Sequence, residues 1–252
     1  MNTSFLVANW KMNYTDQQTV AALHQIIGKS TLFPKTRLII CPSFTALASA
    51  HKLLSYTLIA LGAQNLNHNV KGPYTGEINS AMVAEFCSYV VIGHSERRLL
   101  FGETSDDVNL KSIAAMHQSL HPIICLDGQS DTTRQSNNRT LNIDELAIQV
   151  REAIKNFPLN YQFLIAYEPS WAIGSGEPAD PDSVNTIAAK IREIVTSVLG
   201  SDTGMSVPIL YGGSVTLGNI NNYCKLPELN GALVGGASLD PAELVELAVS
   251  LQ

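Results

Sequence analysis

Three apolar runs of the sequence end on residues able to handle a charge or a proton. Asn9-Trp10-Lys11 supplies a cation, Gly93-His94-Ser95-Glu96 an imidazole, and Ile165-Ala166-Tyr167-Glu168 a carboxylate. Singly, each has an ordinary explanation: a solvated lysine, a structural histidine, an ion-paired glutamate. The functional alternatives are specific. A carboxylate at the end of a buried strand is costly unless it is used or paired, and in an apolar pocket it is a candidate general base. A helix beginning at His94 would aim its positive end at the ring and favour neutral imidazole. Lys11 could be fixed over an anionic substrate. Gln64 and Asn65 follow a third apolar run and face the same end of the chain's elements.

Two paired-glycine turns add a place for an anion. Tyr211-Gly212-Gly213-Ser214 and Val234-Gly235-Gly236-Ala237 each follow an apolar run. Glycines let backbone N–H groups approach an anion closely, and a following helix terminus adds its field. Three look-alike motifs carry nothing. Gly174-Ser175-Gly176-Glu177-Pro178-Ala179 mimics a dinucleotide fingerprint, but Pro178 and Pro181 interrupt the helix it needs. His117 and His121 have the spacing of a zinc helix, but Gln118 stands where the glutamate belongs and Pro122 ends the helix. No phosphate-loop motif ending in Gly-Lys-Ser/Thr occurs.

The elements that must position these residues are legible as runs. Residues 5–8, 38–41, 58–63, 89–92, 123–126, 163–167, 209–211 and 232–234 are apolar and mostly continuous. Continuous runs mark strands buried on both faces, as in a parallel sheet. Between them lie segments of helical period, such as Val184, Ile187, Ala188, Ile191, Ile194, Val195 and Val198 on one face. Residues 143–157 and 244–251 repeat it, and acidic caps are expected at Asp106-Asp107, Asp144 and Asp240-Pro241. Eight strand–helix units without a linker point to a closed (β/α)8 barrel, with an open doubly wound sheet as the alternative. Polar residues after each strand then line the mouth where ligands bind. Residues 129–140 read as an exposed polar loop.

Composition bounds the function. The chain has 252 residues, 45% apolar and 15% charged, so it can bury a core and is not disordered. Its 16 Lys and Arg against 22 Asp and Glu give a net charge of −6, which argues against broad nucleic-acid binding. No apolar run approaches the length of about 18 residues that a membrane span needs. The N-terminus lacks the features of a signal or transit peptide. Cys41, Cys87, Cys125 and Cys224 are widely spaced, which fits reduced thiols in the cytoplasm.

Taken together, Asn9-Trp10-Lys11, Gly93-His94-Ser95-Glu96-Arg97-Arg98, Ala166-Tyr167-Glu168-Pro169, Trp171-Ala172-Ile173-Gly174, Tyr211-Gly212-Gly213-Ser214-Val215 and Val234-Gly235-Gly236-Ala237 resemble the triosephosphate isomerase family in order and over essentially the whole chain. The resemblance implies one α/β domain over residues 1–252, a single (β/α)8 TIM barrel. It implies interconversion of dihydroxyacetone phosphate and glyceraldehyde 3-phosphate, without metal or cofactor. In that reading Glu168 shuttles the proton, His94 polarises the carbonyl, and Lys11 and Asn9 stabilise the enediolate and phosphate charge, with Glu96 assisting or orienting them. The family is itself the standard example of a glutamate base working beside a neutral imidazole. Backbone N–H groups of Gly174, Ser214, Gly235 and Gly236 would hold the phosphate. Residues 169–175 would form a lid, and residues 65–77, with Thr75 at the tip, the loop of a homodimer. No nucleic-acid or membrane partner is implied. The residues themselves agree: one base, one cation, one neutral imidazole and a phosphate cradle suffice for proton transfer next to a carbonyl.

Two positions depart from the family pattern. Leu126-Asp127-Gly128 replaces a small residue followed by Gly-Glu, and Ser170 stands where an apolar residue is usual. Other readings are an aldolase or lyase on the same barrel, or a phosphate sensor. A Schiff-base lysine would mark an aldolase, yet Glu168 occupies that strand end. A sensor would carry a damaged set, yet Lys11, His94 and Glu168 are intact.

Overall fold

Every one of the eight apolar runs becomes a strand. In the computed structural model, which describes residues 4–127, 142–169, 172 and 176–252, they are β1 (Ser4–Asn9), β2 (Thr36–Cys41), β3 (Ala60–Ala63), β4 (Tyr89–Ile92), β5 (His121–Leu126), β6 (Leu164–Tyr167), β7 (Ile209–Tyr211) and β8 (Gly231–Val234). Each pairs in parallel with the next, and β8 closes on β1 with Phe5 opposite Gly231. The sheet is a closed barrel, so the open doubly wound alternative is set aside.

The continuous runs are explained by two cores. Val7, Ile39, Val91, Ile123 and Leu210 point into the lumen. Their neighbours Leu6, Leu38, Ile40, Val90 and Ile92 point outward and pack under the helices. Residues of both parities are therefore buried, and no polar alternation survives.

The helices are α1 (Asp16–Ile27), α2 (Leu47–Leu54), α3 (Ser80–Ala84), α4 (Ser95–Phe101), α5 (Ser105–Met116), α6 (Ile143–Ala153), α7 (Pro181–Leu199), α8 (Ser201–Ser206), α9 (Ile220–Cys224) and α10 (Pro241–Ser250). Asp240 caps α10 as expected. At two other starts the cap lies earlier than the acidic residues indicated. Thr104 caps α5 in a reciprocal box with Asp107, and Asn142 caps α6. Asp106, Asp107 and Asp144 sit inside the first turns, where their charge meets the helix dipole. The apolar stripe of α6 outlasts the helix, which stops at Ala153 while Ile154 and Phe157 stay buried. Among the described residues no helix is long and apolar enough to cross a membrane.

Barrel closure rests on one tight contact. Gly231 has φ 147°, and a Cβ there would sit 1.8 Å from the carbonyl oxygen of Phe5. Neither the dihedral nor the space admits a side chain. Gly231→Ala is expected to lower the unfolding free energy by about 3 kcal/mol, read by guanidinium denaturation. A loss within about 0.5 kcal/mol, the usual range of a surface substitution, would show that the β8–β1 seam is not so constrained.

Candidate active site

All the charged groups singled out above gather at the C-terminal mouth of the barrel. β1 ends at Asn9, whose side-chain oxygen accepts the Lys11 N–H at 3.1 Å. Lys11 itself takes a left-handed backbone, φ 51°, uncommon for a residue with a side chain. Gln64, just after β3, holds that conformation by donating to the Lys11 carbonyl at 2.8 Å and to the Cys41 carbonyl at 2.9 Å. The ammonium then reaches Glu96 Oε1 at 2.5 Å. Gly235 leaves it room, since a Cβ there would lie 3.2 Å from Lys11 Cε.

His94 is the N-cap of α4, and its Nδ1 accepts the backbone N–H of Glu96 at 3.2 Å. A ring that accepts at Nδ1 is neutral and carries its proton on Nε2. The Glu96 carboxylate lies 3.7 Å from the same Nδ1, beyond hydrogen-bond reach, and is engaged by Lys11 instead. Nε2 lies 3.3 Å from Glu168 Oε1, close but without hydrogen-bond geometry.

Glu168 follows β6 and is buried. Its other oxygen, Oε2, accepts the backbone N–H of Ser95 at 2.9 Å, so the first turn of α4 serves both the imidazole and the carboxylate. Gly212 makes the space: a Cβ there would meet Glu168 Cγ at 2.7 Å. Beneath it, burial and the neighbouring Glu168 carboxylate push the Cys125 thiol well up, so it stays protonated and inert.

Asn9, Lys11, His94, Glu168, Ser214, Gly235 and Gly236 line one cavity of about 230 Å³. The backbone N–H groups of Ser214, Gly235 and Gly236 have no acceptor among the described residues, leaving a concave set of donors beside the lysine. Glu96 stands behind the lining, on Lys11 and His94. Gly174, the rest of the expected lid at Ser170, Trp171, Ile173 and Ser175, the Gly128 departure and the loop at 129–140 lie outside the described residues. Asp127, the other departure, is buried and exchanges hydrogen bonds with Gln149 of α6, both at 3.0 Å.

The triosephosphate isomerase family model matches residues 4–251. The chain belongs to the triosephosphate isomerase family. It is 40% identical to the triosephosphate isomerase of Endomicrobium trichonymphae over 98% of both chains. The same family member from Dictyoglomus thermophilum is 39% identical over 96% of each. A crystal structure of triosephosphate isomerase from Bartonella henselae superposes with a TM-score of 0.86 at 33% identity, covering 99% of this chain and 100% of that one. The family's barrel is thus the frame on which the cavity is built.

What holds the His94 turn was not foreseen. Gly93, at φ 74°, breaks β4 sharply into α4. Its N–H donates at 2.9 Å to the buried Glu103 carboxylate, which also binds Arg97 and Lys111, each at 2.6 Å. Lys111 reaches on to Asn65 at 3.0 Å, so Asn65 belongs to this network and not to the cavity. Arg98 donates to the Gly93 carbonyl at 2.9 Å. In sequence Glu103 is one acid between two helices and Lys111 one base on a helix, with no periodic signal.

Burial raises the Glu103 pKa, but the Lys111 and Arg97 charges outweigh it and hold the carboxyl below the ordinary glutamate value. A depressed carboxylate stabilises the fold fully above its unfolded pKa of about 4.3 and loses that contribution as pH falls through the folded value. Removing it leaves two cations unpaired, one of them buried. Glu103→Gln is expected to cost about 3 kcal/mol at neutral pH, with the gap to the parent closing as both are titrated toward about pH 3. A pH-independent gap in denaturant unfolding would show that the carboxylate charge is not what stabilises the turn.

Proposed function

We propose that this cavity interconverts dihydroxyacetone phosphate and glyceraldehyde 3-phosphate, the reaction of the family, within a single domain spanning residues 1–252. The observation that carries the reading is the pairing of Glu168 and the Nε2 of His94, 3.3 Å apart, beside Lys11 and the glycine turns in one cavity. The substrate phosphate sits on the N–H groups of Ser214, Gly235 and Gly236, joined by Gly174. Lys11 and Asn9 lie against the oxygens where charge develops. Glu168 leaves the Ser95 N–H, turns into the cavity and takes a proton from the carbon next to the carbonyl. His94 donates its Nε2 proton to the carbonyl oxygen, and an enediol results. Protons then return in the opposite sense, Glu168 to the neighbouring carbon and the other hydroxyl proton to His94. The step balances with protons alone, so the reading calls for no metal or cofactor. Glu96 is a positioning residue that holds the Lys11 ammonium at the mouth.

The protein is proposed to act as a homodimer in the cytoplasm, in the glycolytic and gluconeogenic direction alike. Its four cysteines are all unbridged, which suits a reducing compartment. The loop at 65–77 closes on itself through side chains: Asn67 binds Glu77 at 2.8 Å, Asn69 binds Asn67 at 3.0 Å, and Tyr74 binds Asn69 at 3.0 Å. Such a loop projects as a firm unit. It exposes Val70 and Tyr74, and Met12, Met82 and Phe101 are exposed as well. Exposed apolar side chains of this kind fit an interface with a second copy, Thr75 of one subunit approaching Lys11 and His94 of the other.

Glu168→Gln keeps the shape of the base and removes its basicity. Its kcat is expected to fall by roughly 10²–10⁴-fold in a coupled assay, with the melting temperature held. Turnover near that of the parent in the folded variant would take Glu168 out of the role. Assembly has its own test. A loop variant, Thr75→Arg, and Glu168→Gln are each expected to be nearly inactive, and mixing them after dissociation is expected to restore activity. Each heterodimer has one site with an intact base and an intact partner loop. Full activity of a monomeric species in analytical ultracentrifugation would contradict the dimer.

A further inference from the structure

At the opposite end of the barrel, where the strands begin, lies a second cavity of about 530 Å³. That size is within the range of small-molecule sites, about 300–1,000 Å³. Phe5 of β1, Tyr89 of β4 and His121 of β5 enter it from the strand starts, Tyr161 and Met205 wall it, and Asn230 closes it before β8. Tyr89 and His121 lie with ring centroids 5.3 Å apart, and His121 and Tyr161 6.2 Å apart. Tyr161 is held in place by its hydroxyl, which donates to the carbonyls of Leu120 and Met116. The wall is therefore aromatic and fixed.

Three of the polar groups in its lining, those of Tyr89, His121 and Asn230, stand against the aromatic wall. The Tyr89 side chain lines the cavity, and its hydroxyl, open to that space, has no protein partner among the described residues. His121 Nδ1 is 3.1 Å from the Gln162 carbonyl, which can only accept, so Nδ1 carries a ring proton, and in the neutral tautomer with that proton Nε2 is an acceptor. Asn230 Oδ1 accepts the Ile209 N–H at 3.0 Å, so its amide NH₂ remains to donate. Beside the exposed amides of Asn160 and Gln162, the cavity thus offers one ring-nitrogen acceptor, the Asn230 amide and the Tyr89 hydroxyl against an aromatic wall. Among the described residues no Lys, Arg, Asp or Glu lines it.

We propose that this cavity binds an uncharged planar heteroaromatic ring bearing donor and acceptor edges, of the purine type represented by adenine. The exocyclic amino group donates to His121 Nε2. Ring nitrogens accept from the Tyr89 hydroxyl and the Asn230 amide. The ring face packs against the aromatic wall and the Met205 thioether. With no cation in the lining, the phosphates of a nucleotide stay outside, so the ring alone is recognised.

Adenosine is the probe, titrated into the full-length protein by calorimetry, with glycerol 3-phosphate present to occupy the isomerase site. One saturable site is expected. Tyr89→Phe, which removes the hydroxyl and keeps the wall, is expected to weaken binding about 3–10-fold with isomerase kcat unchanged. Met205→Trp, at an exposed position on the rim, is expected to abolish it. A titration with ATP assigns the source: affinity equal to that of adenosine places the adenine end of a nucleotide in the cavity, and a much weaker affinity the free nucleoside. The proposal is overturned by an absence of saturable binding up to about 5 mM adenosine, by displacement with glycerol 3-phosphate, or by binding that both variants leave unchanged. None of these outcomes bears on the isomerase reading, which stands or falls on Glu168.

Discussion

The backbone N–H of Glu96 donates to Nδ1 of His94, and the chemistry of the mouth depends on that bond. It decides which ring nitrogen carries the proton. The remaining nitrogen, Nε2, faces Glu168 and the cavity with a hydrogen to give. The preceding N–H in the same turn, that of Ser95, donates to Glu168. One helix start thereby sets a neutral acid and an anionic base side by side, a combination that two charged side chains would not provide. The turn can do this because Gly93 accepts a left-handed backbone and because Glu103, Arg97, Arg98 and Lys111 hold it from behind. Ionic groups used in this way are a costly means of stabilising a fold, since desolvation offsets much of their attraction. Their value here is the placement of Gly93 to within a hydrogen bond.

Lys11 illustrates the same economy from the other side of the mouth. Its partly exposed pairing with Glu96 adds little to stability. Its strained backbone is maintained by Asn9 and Gln64. The result is an ammonium beside a cluster of backbone donors, so positive field is concentrated where an anionic substrate enters a protein of net charge −6. The two ends of the barrel differ in kind: charges and free N–H groups at the C-terminal mouth, an uncharged aromatic cavity at the N-terminal one.

The barrel was legible because its strands are buried on both sides. Residues 89–92 and 209–211 match their strands to the residue, and the others differ by one or two positions at an end. Strand order was not legible in periodicity, because a closed barrel and an open sheet bury the same runs. Lys11, His94 and Glu168 were legible as polar endings to apolar runs, and their reading became specific through family motifs. Helix starts were misplaced toward Asp106 and Asp144, since acids favoured by the dipole look like caps, whereas Thr104 and Asn142 accept the N–H bonds. Glu103, Lys111 and the clamp made by Gln64 left no trace in pattern or composition. Glu103 meets Gly93, Arg97 and Lys111 at separations of ten, six and eight, across a helix junction with no periodic spacing, and the remaining partners lie far away in sequence: Asn65 is 46 residues from Lys111, and Lys11 is 53 from Gln64. The same holds for Tyr89 at the lower cavity, which in sequence is only the first residue of a strand.

The most direct test of the central claim is the protonation pattern of the His94 ring. Nitrogen-15 NMR of protein labelled in histidine, assigned by comparison with His94→Gln, reads each ring nitrogen separately. A protonated Nε2 and an unprotonated, hydrogen-bonded Nδ1 are expected at neutral pH, unchanged when glycerol 3-phosphate occupies the cavity. A His94 ring protonated on both nitrogens, or on Nδ1 alone, would contradict the claim.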